Sequence, residues 1–147
     1  MKIYLAADHA GFQLKEEIRH FLVGEGHDVA DLGANREASD DDYPDFVRPV
    51  AEHVANEPET RGIVFGGSGQ GEAMVANRIP GVRAAVWYGK NDRILTLSRE
   101  HNDANVLAIG ARFVSTEEAK RAIQLWLSTP FSAEPRHKKR IDKIDNS

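Results

Sequence analysis

The sequence predicts an α/β fold: a single domain in which a five-stranded parallel sheet lies between two layers of helices, in the Rossmann-like manner. Short apolar runs of strand character alternate about five times with helix-patterned stretches, and that order builds parallel sheets. Glycines and acidic residues fall at the junctions, where chains turn. A length of 147 residues suits one hydrophobic core, with no repeat or second-domain boundary along it.

The elements follow in order. Lys2 to Ala7 (KIYLAA) reads as a buried first strand. Gly11 to Gly24 carries Phe12, Ile18, Phe21 and Leu22 at spacings that share one helical face, and ends on glycine. A second strand is expected at His27 to Leu32. After an acidic loop, "DDDYPDFVRPVAEHVAN" offers Asp42 as a cap, Pro44 near the first helical position, and Phe46, Val50 and Val54 along a helix whose first turns Pro49 perturbs. Gly62 to Phe65 forms the third strand, and a short helix follows from about Gly71 to Asn77. "VRAAVWY" and "NVLAIG" are the remaining strands, separated by a helical stretch near Asn91 to Glu100; Thr116 to Leu127 is a well-patterned helix. Only the tail from about residue 130 to 147 departs from the alternation.

Composition narrows the chemistry. With 41% hydrophobic and 29% charged residues the chain is an ordinary globular protein, and its apolar runs are too short to span a bilayer. "MKIYLAADHAG" reaches an Asp-His pair where a signal peptide would still be apolar, so the cytoplasm is the expected compartment. The absence of cysteine removes disulfides, thiolate zinc sites and a cysteine nucleophile. A net charge of −4 argues against nucleic acid as a partner, and nothing suggests a membrane one.

The stretch "IVFGGSGQGEAMVANR" carries the functional signal. Four glycines, Gly66, Gly67, Gly69 and Gly71, crowd the exit of the third strand, and Glu72 follows them. A dinucleotide fingerprint would need glycine where Glu72 stands, and a Walker A loop would need lysine there, so neither cofactor is supported. What remains is a row of unhindered backbone N–H groups able to hold an oxyanion or a phosphate; read alone, the same loop also serves as a tight strand-to-helix turn. Glu72 alone is equally an acidic residue favoured in a first helical turn. Asp8 and His9 leave the first strand at the same carboxyl edge of the sheet, where ligands bind in such folds.

The segments "AADHAGFQLKEEI", "DDYPDF", "GGSGQGEAMVANRIPGVRAA", "SREHNDANVLAIGAR" and "RHKKRI" resemble, in order and over almost the whole chain, the B-type ribose-5-phosphate isomerases, related to the galactose-6-phosphate isomerase subunits. Many members of that family place a cysteine base at the end of the third strand. Here that position is Gly66, and the chain is similar to the cysteine-less branch, in which a glutamate beyond the glycine loop is the base.

The resemblance implies interconversion of ribose 5-phosphate and ribulose 5-phosphate, a step of the pentose phosphate pathway, without metal or cofactor. Glu72 becomes the base. The N–H groups from Gly67 through Gly69 and Gln70 to Gly71 hold the enediolate oxygens, and Ser68 relays a proton between them. His101, helped by Asp8, opens the sugar ring, and Asn102 binds sugar oxygens. His9, Arg112, Arg136, His137 and Arg140 form the phosphate site, with Arg136 and Arg140 one helical turn apart in the tail; Tyr43 lines the sugar site. Other phosphorylated sugars, such as galactose, allose or tetrulose phosphates, are alternative substrates, and a non-catalytic sensor of sugar phosphates is an alternative class. Position adds one inference. His101 and Asn102 precede the fifth strand, at the amino edge of their own sheet, and reach Glu72 more easily on a second subunit. That matches the homodimer, or dimer of dimers, with shared active sites that the resemblance implies.

Overall fold

The computed structural model describes residues 1–146, so Ser147, the last residue of the expected tail, lies outside the described residues. The elements run β1 (Lys2–Ala7), α1 (Phe12–Gly24), β2 (Asp28–Asp31), α2 (Pro44–Asn56), β3 (Arg61–Gly66), α3 (Gln70–Ala76), β4 (Ala84–Trp87), α4 (Arg93–Asn102), β5 (Val106–Gly110), α5 (Thr116–Ser128) and α6 (Pro135–Asp145), with one 3-10 turn at Ala111–Phe113. All five strands are parallel, in the order β2-β1-β3-β5-β4.

Alternation along the strands divides the core into two layers. Ile3, Leu5 and Ala7 of β1 face α1, α4 and α5, in a cluster with Phe65, Leu95, Ile109 and Trp126. Tyr4 and Ala6 face the other way, toward Val47, Val50 and Val54 of α2 and Ala73 and Ala76 of α3. Strands buried on both faces read as continuous apolar runs, which is why β1, β3 and β5 were legible as strands. Among the described residues no helix is long and apolar enough to cross a membrane.

One local expectation changes. Asp42 does not cap α2: Tyr43 holds the N-cap position without a side-chain bond, and Asp42 offers only its backbone carbonyl, which accepts from the Asp45 N–H at 3.2 Å. Pro44 at the first turn, with fixed φ and no N–H to satisfy, starts the helix instead. Pro49 lies inside α2 without ending it. The tail is ordered as α6, anchored where Arg83, just before β4, bonds Asp145 at 2.8 Å.

One buried residue of α1 went unread. Lys15 is fully buried, its amino group 2.6 Å from Asp31 of β2 and 2.8 Å from Glu16. A buried ammonium is tolerable only when paired in this way.

Candidate active site

Strand register sets the site. Ala7 pairs with Phe65 and Gly66 with Gly110, so the turns that begin at Asp8, Gly67 and Ala111 leave the sheet at one level. The chain passes from β1 outward to β2 and then returns to β3 on the other side, and this switch point opens the crevice where α/β sheets bind ligands. A cleft of about 520 Å³ lies there. Asp8 and His9 enter it from β1, Gly67, Ser68, Gly71 and Glu72 from β3 and α3, Tyr43 from the start of α2, and Arg112 from the turn after β5.

The glycines make room for named groups. A Cβ added at Gly66 would fall on the Glu72 carboxyl group, so only a bare backbone lets that side chain lie across the end of β3. At Gly71 a Cβ would stand 2.5 Å from the Tyr43 hydroxyl, and at Gly67 3.0 Å from Arg112 Nη1. Gly69 serves the turn itself: φ is +81° and the backbone of Ala108 to Gly110 lies 3.2 Å from where its Cβ would be. Ser68 Oγ accepts from the Gln70 N–H at 3.3 Å, bracing the loop and leaving the hydroxyl proton to donate.

Glu72 is 4% exposed. Burial, reinforced by the nearby Asp8 carboxylate, pushes its carboxyl above the ordinary range, the direction that makes a carboxylate a stronger base. Asp8 is itself buried, and its Oδ1 accepts from the N–H groups of Ala10 and Gly11 at 3.0 and 3.3 Å.

His9 has a partner that sequence reasoning missed. Asp41 Oδ1 takes both the His9 backbone N–H, at 3.0 Å, and the ring Nδ1, at 2.7 Å. That bond raises the imidazole pKa, with Asp8 adding and burial and Arg112 opposing. Asp41 hid within a run of three aspartates that reads as a solvated loop. Asp8, His9 and Asp41 carry ligand-type atoms within 4.8 Å of one another, a closeness explained by this hydrogen-bonded pair and the turn beside it.

The remaining expected residues gather elsewhere. His101 and Asn102 end α4, Asn102 beside a separate cavity at the amino side of the sheet lined by Arg83 and Ala84. Arg136 and Arg140 are exposed on α6. His137, expected among the phosphate ligands, is 2% exposed; its ring stacks on that of His101, centroids 4.2 Å apart and planes at 16°. Its pKa is lowered, first by burial and then by the His101 and Arg136 charges. Within one chain, then, His9 and Arg112 share the cleft with Glu72, while His101, Asn102, Arg136, His137 and Arg140 do not line it.

Comparison with known proteins places the chain. Residues 3–144 match the family model described as Ribose/Galactose Isomerase. The chain is 42% identical over 142 residues to ribose-5-phosphate isomerase B of Mycolicibacterium paratuberculosis, covering 97% of this chain and 88% of that protein. Among solved structures, ribose-5-phosphate isomerase B of Mycoplasma genitalium with bound ribulose-5-phosphate superposes with a TM-score of 0.93 at 38% identity, over 99% of this chain and 94% of that one. The Clostridium thermocellum ribose-5-phosphate isomerase B gives 0.92 at 44% identity, over 99% and 96% of the two chains. With its sheet order, its glycine-lined cleft and these matches across nearly all its length, the chain belongs to the ribose/galactose isomerase family, alongside the B-type ribose-5-phosphate isomerases.

Proposed function

We propose that this protein interconverts ribose 5-phosphate and ribulose 5-phosphate by proton transfer through an enediolate. The observation that carries the reading is the Glu72 carboxyl, buried across Gly66 at the mouth of a glycine loop, in the same cleft as the cationic pair His9 and Arg112. Isomerisation needs a base beside an oxyanion site, with an anchor for the phosphate some distance away. Glu72 takes the proton from the carbon next to the carbonyl and returns it to the neighbouring carbon. Backbone N–H groups of Gly67, Gly69 and Gly71 receive the developing oxyanion, each well-placed donor contributing about 3 kcal/mol, while the Gln70 N–H braces the loop through Ser68 Oγ. Ser68 passes a proton between the two oxygens, and Tyr43 bounds the sugar.

His9 and Arg112 form the near half of the phosphate site, Arg112 offering a planar fork suited to phosphate oxygens. Ring opening is assigned to His101, with Asp8 assisting and Asn102 holding sugar oxygens. Because these α4 and α6 residues lie outside their own chain's cleft, the complete site takes His101, Asn102, Arg136 and Arg140 from a second copy, with His137 backing the His101 ring. Phe113, which lines the cleft, is exposed and lies against the exposed Tyr88 ring, and this apolar pair supports a partner seated over the site. The assembly is a homodimer or a dimer of dimers, and the tail contributes to both phosphate binding and contact. The cytoplasm is the proposed compartment. Incubating the purified protein with ribose 5-phosphate and following ribulose 5-phosphate tests the activity; no turnover of any phosphorylated aldose contradicts it.

A further inference from the structure

Asp41 sits in the loop before α2, outside any assigned role, yet its side chain is only 11% exposed and one oxygen, Oδ2, is buried without a hydrogen-bond partner among the described residues. Its other oxygen is spent wholly on His9, through the backbone N–H and ring Nδ1. The only ion pair it makes among the described residues is with that histidine. A carboxylate withdrawn this far from water needs a cation, and the available one is the imidazolium of His9.

We propose that Asp41 is a positioning residue for anion binding: it fixes the His9 ring through Nδ1 and holds it as the imidazolium, so that Nε2–H and a full positive charge serve a phosphate monoester dianion in the cleft beside Arg112. This deepens the sugar-phosphate reading above and rests on it for the identity of the natural ligand. A neutral imidazole bonded through Nδ1–H would leave Nε2 an acceptor, which repels phosphate oxygens; the imidazolium presents a donor there. The charged groups facing His9 are Asp41 from the loop before α2, Asp8 from its own turn and Arg112 from the turn after β5. The two carboxylates favour the charged ring and Arg112 opposes it, the sum lying on the raised side. A bound dianion adds further weight to the same side.

Inorganic sulfate is the appropriate probe, because it keeps its two negative charges throughout the relevant pH range while phosphate itself titrates. Sulfate binding to the full protein is measured by calorimetry across about pH 5.5 to 8.5, for wild type, Asp41→Asn and His9→Gln. In wild type the affinity holds above the ordinary histidine pKa of about 6.5 and then falls as His9 loses its proton. In Asp41→Asn the fall moves to lower pH, so that sulfate binds roughly fivefold more weakly near pH 7.5 while the two proteins converge near pH 5.5. His9→Gln loses this pH step altogether. KM for the sugar phosphate rises in Asp41→Asn at neutral pH and kcat stays within about twofold. Superimposable sulfate profiles for wild type and Asp41→Asn, or no sulfate binding by wild type, overturn the proposal. Should Asp41→Asn fail to fold, NMR titration of the His9 ring in wild type decides: a pKa at or below the ordinary value overturns it. Sulfate profiles as described, without turnover of ribose 5-phosphate, would fault the isomerase reading and leave the Asp41–His9 device standing.

Discussion

The carboxyl group of Glu72 occupies the volume that any side chain on residue 66 would fill. The two positions are therefore exclusive: a side chain at the end of β3 or a carboxylate folded across it. Gly66→Ala should displace the Glu72 carboxyl, the free end of a flexible side chain, at small cost to folding and large cost to catalysis. The expected result is a fall in kcat of about a hundredfold, from misplacement of the base by about an ångström, with an unchanged far-ultraviolet spectrum. Steady-state kinetics check it; kcat within a few-fold of wild type would show that Glu72 need not lie there.

Burying Glu72 beside Asp8 costs stability. Its folded pKa is raised above the unfolded value of about 4.5, so the wild type loses stability as pH rises from that value through the folded pKa. Glu72→Gln carries no such charge. Thermal melts should give the variant the higher Tm at pH 7 and bring the two proteins together below about pH 4. A lower Tm for the variant at neutral pH would mean that the carboxylate is stabilised by its surroundings.

Much of this was legible in the sequence, for physical reasons. β1, β3 and β5 are buried on both faces and so appear as unbroken apolar runs, and the glycines of the loop mark themselves because Gly69 needs positive φ and a side chain at Gly66, Gly67 or Gly71 would press on Glu72, Arg112 or Tyr43. The amino-edge position of His101 followed from topology alone. Contacts made by polar residues across long sequence separations were not legible. Asp41 bonds His9 from 32 positions away and Lys15 reaches Asp31 from α1, and neither the acidic run nor a lysine on a helix signals such a partner. The stacking of His137 on His101 joins α6 to α4, a docking that helical periodicity cannot express.

The buried Lys15 pair yields an acid-stability prediction. Bonds from Lys15, then Arg19, hold the Glu16 carboxyl down at about 2. A depressed pKa stabilises the fold above the unfolded value of about 4.5, and that stability drains away as pH falls toward 2. Lys15→Met should lose about 2 kcal/mol at pH 7 in urea denaturation, because Asp31 and Glu16 lose their nearer cation and keep only Arg19, and should show a shallower loss between pH 4.5 and 2. Equal acid sensitivity of the two proteins would contradict the pairing.

A site shared between subunits makes inactive variants complementary. Glu72→Gln and His101→Asn should each be inactive alone, while a mixed dimer holds one site with both residues intact. Random reassortment makes about half the dimers mixed, so activity near a quarter of wild type is expected once exchange is proved by mass spectrometry. No recovery in verified mixed dimers would mean that each site is built within one chain.

The central claim is that Glu72 moves the substrate proton. The most direct test is proton NMR of ribose 5-phosphate in deuterium oxide with wild type and with Glu72→Gln, alongside calorimetric binding of the same sugar. Wild type should form ribulose 5-phosphate and exchange the proton at the carbon next to the carbonyl. Glu72→Gln should bind with affinity within a few-fold of wild type and do neither, since the amide keeps the shape of the side chain but cannot accept a proton. Turnover by Glu72→Gln within about tenfold of wild type would contradict the account and place the base elsewhere in the cleft.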